Sequence, residues 1–309
     1  MADLLEILQK LKDTEVALAK AREVAAKHPN RPTLQSTISS LHKRYRSLET
    51  LFGSITDKQH LDVCSYRLIP ERNQQYPLWA LTSALGDFQD AITLVYDAVK
   101  TGQKKERASW SADIAQETSL NFGYSYSGSL GFIFTIPNER LLLVDSMLDV
   151  AFRTLFEMTK AKSADELAQY ARELGVAPIR KLYKWANGHV ESGLNVEVRW
   201  RRNQDIRASI LIQQPELAQL CTLIAQTSEE TEERHTLRGV LLGGDLITRA
   251  FRFDPENGED IRGRLADTFK VKEELRLGHV YAATFLKRTK KHYSTEKEDV
   301  VWLLTDLIE

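Results

Sequence analysis

Five short segments near the C-terminus alternate apolar and polar residues with a period of two, which is typical of strands that bury one face. They cover residues 234–242, 248–253, 260–265, 279–287 and 300–307. A proline- and glycine-containing turn at 254–258 joins the second to the third, and a short amphipathic helix is predicted at 267–275. Three strands, a helix and two strands is the order of an OB-fold, so the sequence predicts a small five-stranded OB-like barrel.

The cations of this segment are predicted to lie on its outer surface and in a loop after the fourth strand. OB-folds bind oligonucleotides on the face of strands two and three and with flanking loops, so phosphate-directed contact with DNA or RNA is expected. The candidate nucleic-acid-binding residues are Arg238, Arg252, Arg262, Arg264, Lys287, Arg288, Lys290, Lys291 and Tyr293.

A structural or protein-docking barrel is the alternative. Phe251 and Phe253 alternate with Arg252 and should point inward, so the outer face of strands two and three offers no aromatic side chain for base stacking. Cationic hairpin tips often do no more than protect a sheet edge. Both interpretations stay open at this point.

The N-terminal residues predict an antiparallel, coiled-coil-like helical hairpin over 1–55, broken by a proline-containing turn at 28–32. In its second helix apolar residues follow an unbroken 4-3-4-3-4-3 spacing, the pattern of a coiled-coil seam. A two-helix hairpin buries too little by itself, so this seam must pack on the rest of the chain or on another subunit. The assembly residues are Leu34, Ile38, Leu41, Tyr45, Leu48, Phe52 and Ile55.

Residues 56–228 alternate helical and extended patterns and predict a central mixed α+β domain. Strands are expected at 61–69, 194–201 and 207–212, with a glycine-containing β-hairpin at 120–136. Helices are expected at 77–100, 145–160, 163–175, 178–190 and 215–226. The acidic run 228–233 indicates a boundary, so the predicted fold is multi-domain α+β, divided into 1–55, 56–228 and 229–309.

The composition is that of a globular protein, with 42 % hydrophobic and 28 % charged residues. The net charge of −1 provides no general attraction to nucleic acid or membranes, so any such attraction must be local. No apolar run is long enough for a transmembrane helix, and no membrane partner is expected. Cys64 and Cys221 have no metal-binding neighbours in sequence and predict buried thiols in a reducing, cytoplasmic protein.

No motif indicates catalysis, so no catalytic residue, metal site or cofactor is predicted. Gly123–Gly131 matches neither a phosphate loop nor a nucleophile elbow, and its glycines suit a hairpin turn and a bulge. A metal-dependent nuclease would need an acid followed by Glu-x-Lys, and Asp62 with Glu197-Val198-Arg199 is only an incomplete match. His189 is predicted to be a helix-end cap or a surface residue.

These patterns favour a non-enzymatic binding or scaffold protein that contacts nucleic acid through the barrel. The first alternative is an assembly module that binds itself or another protein, and the second is a metal-dependent hydrolase of nucleic acid. The order of hairpin, α+β domain and barrel resembles, in layout only, accessory proteins of bacterial defence operons.

Overall fold

The computed structural model describes residues 2–28, 31–70, 76–126, 130–137, 145–202, 205–269 and 276–308. In these ranges the chain is mixed α+β, with eight helices and two sheets of five strands. It divides into two compact units, Met1–Gln226 and Thr227–Glu309. The N-terminal helices and the central helices and strands therefore belong to the same unit.

The first unit begins with two helices that pack against each other, α1 (Ala2–Lys27) and α2 (Pro32–Lys58). Proline starts α2, as expected for a first helical turn. The buried side chains of α1 recur at helical spacing and form a single stripe. They are Ile7, Leu8, Leu11, Thr14 and Leu18.

An antiparallel sheet forms the middle layer of this unit. Its strands pair in the order β2-β3-β1-β4-β5. They are β1 (Leu61–Pro70), β2 (Asn121–Tyr126), β3 (Leu130–Pro137), β4 (Leu194–Arg202) and β5 (Asp205–Ile212). The hairpin predicted at 120–136 is β2–β3, and its register shifts beside Gly123, where a bulge was expected.

The remaining helices of the first unit are α3 (Leu78–Thr101), α4 (Ala112–Thr118), α5 (Met147–Met158), α6 (Ala164–Leu174), α7 (Val176–Ser192) and α8 (Gln214–Gln226). The sequence analysis did not predict α4. Gly102 and Gly175, both with positive φ, end α3 and α6 as their positions suggested.

The two faces of the sheet are covered by different helices. On one face Val63, Tyr124 and Ile133 join a core with residues of α1 and α2. On the other face Trp200 of β4 stacks on Phe152 of α5, with ring centroids 4.0 Å apart. The helical pair thus packs on the sheet of its own chain, which is one of the two arrangements the sequence left open.

The second unit is a closed five-stranded barrel with strand order β10-β8-β7-β6-β9. Its strands are β6 (Ser228–Asp245), β7 (Ala250–Pro255), β8 (Ile261–Leu265), β9 (Val280–His292) and β10 (Glu298–Ile308). All pairs are antiparallel except β8 with β10. Gly263 permits that parallel contact, because a Cβ atom there would lie 2.1 Å from the carbonyl oxygen of Trp302.

Two strands of the barrel are longer than the sequence predicted. β6 begins at Ser228 and so includes the acidic run, and β9 continues to His292 through the segment predicted to be a loop. The helix predicted at 267–275 lies mostly outside the described residues, and 267–268 form a turn. Among the described helices none has the length and apolar character needed to cross a membrane.

Candidate functional site

Three arginines share the outer face of β7 and β8. Arg252 lies directly opposite Arg262 in the strand pair, and Arg264 lies two residues further along β8 on the same face. The Nε atom of Arg252 is 2.8 Å from Oδ2 of Asp260, and Nη2 of Arg262 is 3.4 Å from the same oxygen. All three arginines are exposed. We call Arg252, Arg262 and Arg264 the arginine face.

Arg238 is separate from this face and lies on the neighbouring strand β6. Its Nε atom is 3.3 Å from Oε1 of Glu256, and 73 % of its side chain is exposed. Ion pairs as exposed as this one contribute little to stability, so Arg238 retains the freedom to bind another anion.

The four cations of β9 lie opposite four acids of β6. The antiparallel register pairs Lys287 with Glu233, Arg288 with Glu232, Lys290 with Glu230 and Lys291 with Glu229. Arg288 Nε is 2.5 Å from Glu232 Oε1, and Lys290 Nζ is 3.6 Å from Glu230 Oε1. The prediction that these cations lie in a loop was therefore wrong, because they belong to β9. Opposite charges across the pair favour strand extension here, and we call this region the charge ladder.

Strand β10, which pairs with the other edge of β9, adds two further acids to the charge ladder. Glu298 pairs with Lys291, and Asp299 pairs with Lys290. A hydrogen bond from His292 lowers the pKa of Asp299. Lys290 and Lys291 therefore lie between carboxylates on both sides, whereas Lys287 and Arg288 have an acid opposite them only on β6.

The one aromatic predicted to stack on bases is buried. Tyr293 is only 2 % exposed. Trp302, which lies opposite Lys287 in the β9–β10 pair, is half-buried, and the Nζ atom of Lys287 lies over its ring, 5.6 Å from the centroid. The prediction of a stacking role for Tyr293 was therefore wrong.

The predicted assembly seam faces inward along its whole length. Phe52 is buried in the core shared with the sheet, and Tyr45, Leu48 and Ile55 pack against that core. Leu34, Ile38 and Leu41, further from the sheet, are half-buried. The seam is therefore mainly an internal surface.

The residues of the incomplete nuclease motif do not lie together in the structure. The register places Glu197 with Arg67 on one face of the sheet, and Asp62 lies on the opposite face. Asp62 is fully buried and accepts hydrogen bonds from the guanidinium of Arg202. No group of three potential metal ligands occurs within the described ranges. Glu197 and Asp62 form ion pairs with Arg67 and Arg202. They do not form the metal site that the hydrolase alternative requires.

Two buried polar side chains differ from the predictions. Asp149 was not predicted to have a role, and His189 was predicted to be a cap or a surface residue. Asp149 of α5 caps its own helix, accepts a hydrogen bond from Trp200 and forms an ion pair with Arg202. His189, predicted as a cap or surface residue, is completely buried, with Nε2 2.7 Å from the hydroxyl of Tyr66. The Ser-x-x-Asp capping pattern at Ser146 was a usable signal for Asp149, whereas nothing in the sequence indicated the burial of His189.

Comparison of the chain with protein-family models, curated proteins and solved structures gave no match.

Proposed function

We propose that the chain is a non-enzymatic binding protein whose second unit is an OB-type barrel, and that this barrel holds the phosphate backbone of a nucleic acid on the arginine face. The strand pairing supports the OB assignment. The long first strand β6 pairs with both the second and the fourth strand, and the third and fifth strands close the barrel in parallel. In OB-folds the second and third strands carry the ligand face.

The arginine face is the observation that carries the proposal. Three guanidinium groups lie on neighbouring positions of β7 and β8, and ion pairs with Asp260 neutralise part of their charge. Guanidinium groups bind phosphate oxygens through two parallel hydrogen bonds, which suits repeated phosphates along a backbone.

The rest of the barrel limits the affinity. Acidic residues outnumber basic ones between 227 and 309, and the charge ladder neutralises the cations of β9. The outer positions of β7 and β8 carry no aromatic side chain for stacking. We therefore expect weak binding, of micromolar order, that varies little with sequence and weakens steeply as salt is raised.

The proposal is tested by replacing Arg252, Arg262 and Arg264 together with glutamine and titrating fluorescent DNA and RNA oligonucleotides at low salt. Loss of phosphate contacts should weaken binding by about tenfold or more and flatten its salt dependence. Arg234→Gln is the matched control, because Arg234 is an exposed arginine of β6 that lies opposite Leu286 of β9, outside the arginine face. The proposal fails if wild-type protein does not bind, or if the triple variant binds as tightly as the control.

A protein-docking barrel is the second candidate, and the β6–β7 turn favours it. Ile247 is 94 % exposed and Leu246 is 59 % exposed at its tip. Exposed neighbouring aliphatic side chains of this kind occur in protein interfaces. If wild-type protein shows no salt-dependent nucleic-acid binding in the titration above, this candidate takes the place of the first.

A further inference from the structure

A cleft of about 520 Å³ lies in the first unit, between the α1–α2 pair and the uncovered part of the sheet. The helices contribute polar side chains to it, including Arg22 of α1 and Arg46 of α2. The sheet contributes Arg199 and Arg201 of β4 and the rings of Tyr124 and Tyr126. A cleft of this volume holds a small molecule of several hundred daltons.

Positive charge predominates in the cleft. Four arginines line it, against two acids, Glu15 and Glu49. Arg199 is bound by Glu197, and a guanidinium nitrogen of Arg22 lies 2.8 Å from Nε2 of His42. Arg46 and Arg201 are therefore the main candidates to bind an anion.

Arg201 is held in an unusual state. Its Nε atom is buried and has no hydrogen-bond partner. Because this nitrogen is closed to solvent, the other nitrogens of the guanidinium group are the ones through which Arg201 can bind a ligand in the cleft. Burial raises the pKa of the neighbouring Glu49, and the charges of Arg201 and Arg46 act against that rise, so an incoming anion shares the two arginines with this carboxylate.

The tyrosines form an aromatic wall opposite these cations. The ring of Tyr126 lies on Gly131, where a Cβ atom would be 2.0 Å from the ring. The ring centroids of Tyr124 and Tyr126 are 6.5 Å apart. Burial raises the pKa of both Tyr45 and Tyr124, whose neutral hydroxyl groups hydrogen-bond to each other at the base of this wall.

We propose that this cleft binds a mononucleotide, with its phosphate on Arg46 and Arg201 and its base against Tyr126. A phosphate accepts hydrogen bonds from both guanidinium groups at once. A planar base suits the aromatic wall, because stacking on tyrosine tolerates every base. The site lies wholly within the first unit and is independent of the arginine face of the barrel.

The test is calorimetric titration of the full chain with AMP, with adenosine and with inorganic phosphate. AMP should bind with micromolar affinity, while adenosine and phosphate, each lacking half of the contacts, should bind at least about tenfold more weakly. Arg201→Gln and Arg46→Gln should each weaken AMP binding by about tenfold. Arg44→Gln is the matched control, since Arg44 is an exposed residue of α2 that does not line the cleft.

Two further variants separate binding from folding. Arg201→Lys keeps the charge, so a protein that folds with lysine but not with glutamine still reports on AMP affinity. Tyr126→Leu should reduce the advantage of AMP over phosphate and leave phosphate binding unchanged. Absence of AMP binding by wild-type protein, equal loss in the Arg44 control, or equal affinity for AMP and phosphate would each overturn the proposal. Loss of oligonucleotide binding in the barrel variant, with AMP binding intact, would show that the two sites are separate.

Discussion

Buried polar side chains of the first unit form hydrogen bonds with specific side chains. Tyr66 is the clearest case, because its hydroxyl accepts a hydrogen bond from Trp185 Nε1 at 2.8 Å and lies 2.7 Å from His189 Nε2. The same hydroxyl lies 3.3 Å from the carbonyl oxygen of Ala84, so the tautomer of His189 decides whether the Tyr66 O–H is donated to the ring nitrogen or to that carbonyl. Asp62 is a second case, a buried carboxylate that accepts hydrogen bonds from Arg202.

The neutral state of His189 makes the stability of the protein depend on pH. Burial lowers the pKa of His189 to about 4, whereas in the unfolded chain the imidazole titrates near its ordinary value of 6.5. Below about pH 6.5 the unfolded chain binds a proton that the folded protein does not, so stability falls as the pH falls towards 4. We expect this residue to account for a loss of about 2 kcal/mol between about pH 7.5 and pH 5, measured by urea unfolding.

Two histidine variants, His189→Gln and His28→Gln, test this pH dependence of stability. The first removes the titrating group from the core, so its stability should fall less than that of wild type over the same pH range. The second replaces an exposed histidine at the end of α1 and should behave as wild type. Equal pH dependence in all three proteins would contradict the assignment.

At the scale of elements, the charge ladder explains why two strands extend past the limits their sequences suggested. Neither Ser228–Glu233 nor Lys287–His292 has the apolar alternation of a strand, and each alone has the composition of a solvated segment. Paired antiparallel, they place glutamates opposite lysines and arginine. Cross-strand attraction then favours strand pairing that neither segment encodes by itself.

Charge exchange across the ladder tests this account. Arg288→Glu places a glutamate opposite Glu232, so the barrel should lose about 1 kcal/mol of stability in low salt. Combining it with Glu232→Arg restores opposite charges and should recover most of the loss. Thermal unfolding of both variants, repeated at high salt, measures the effect. If the double variant is no more stable than the single one, the ladder does not act through charge.

At the scale of the whole molecule, the chain consists of two compact units joined near Gln226. The second has its own core, which includes Phe253, Phe285 and Leu304. A closed barrel leaves no sheet edge unpaired, so such a unit has little need of an outside surface to complete its pairing.

We therefore expect residues 227–309 to fold when expressed alone. The fragment should give a strand-type circular dichroism spectrum, dispersed amide resonances and a cooperative thermal transition. Residues 1–226 should account for the helical signal of the full chain. A mainly helical spectrum of the shorter fragment, or the absence of a cooperative transition, would contradict the independence of the barrel.

The sequence alone determined the local features of this protein. Helical spacing predicted α1 and α2, glycine predicted the ends of α3 and α6, and period-two alternation located all five strands of the barrel. These signals succeed because they arise within single elements, where a residue's neighbours in sequence are also its neighbours in space.

Only the tertiary structure decided which surfaces are free. The acids of β6 and the cations of β9 lie more than fifty residues apart in sequence, so their mutual neutralisation appears only once the strands are paired. Glu197 and Asp62 fall on opposite faces of one sheet, and Arg201 joins residues of α1, α2 and β2 around a cleft. Register and packing set these relationships, because they depend on contacts between distant segments that no local pattern encodes.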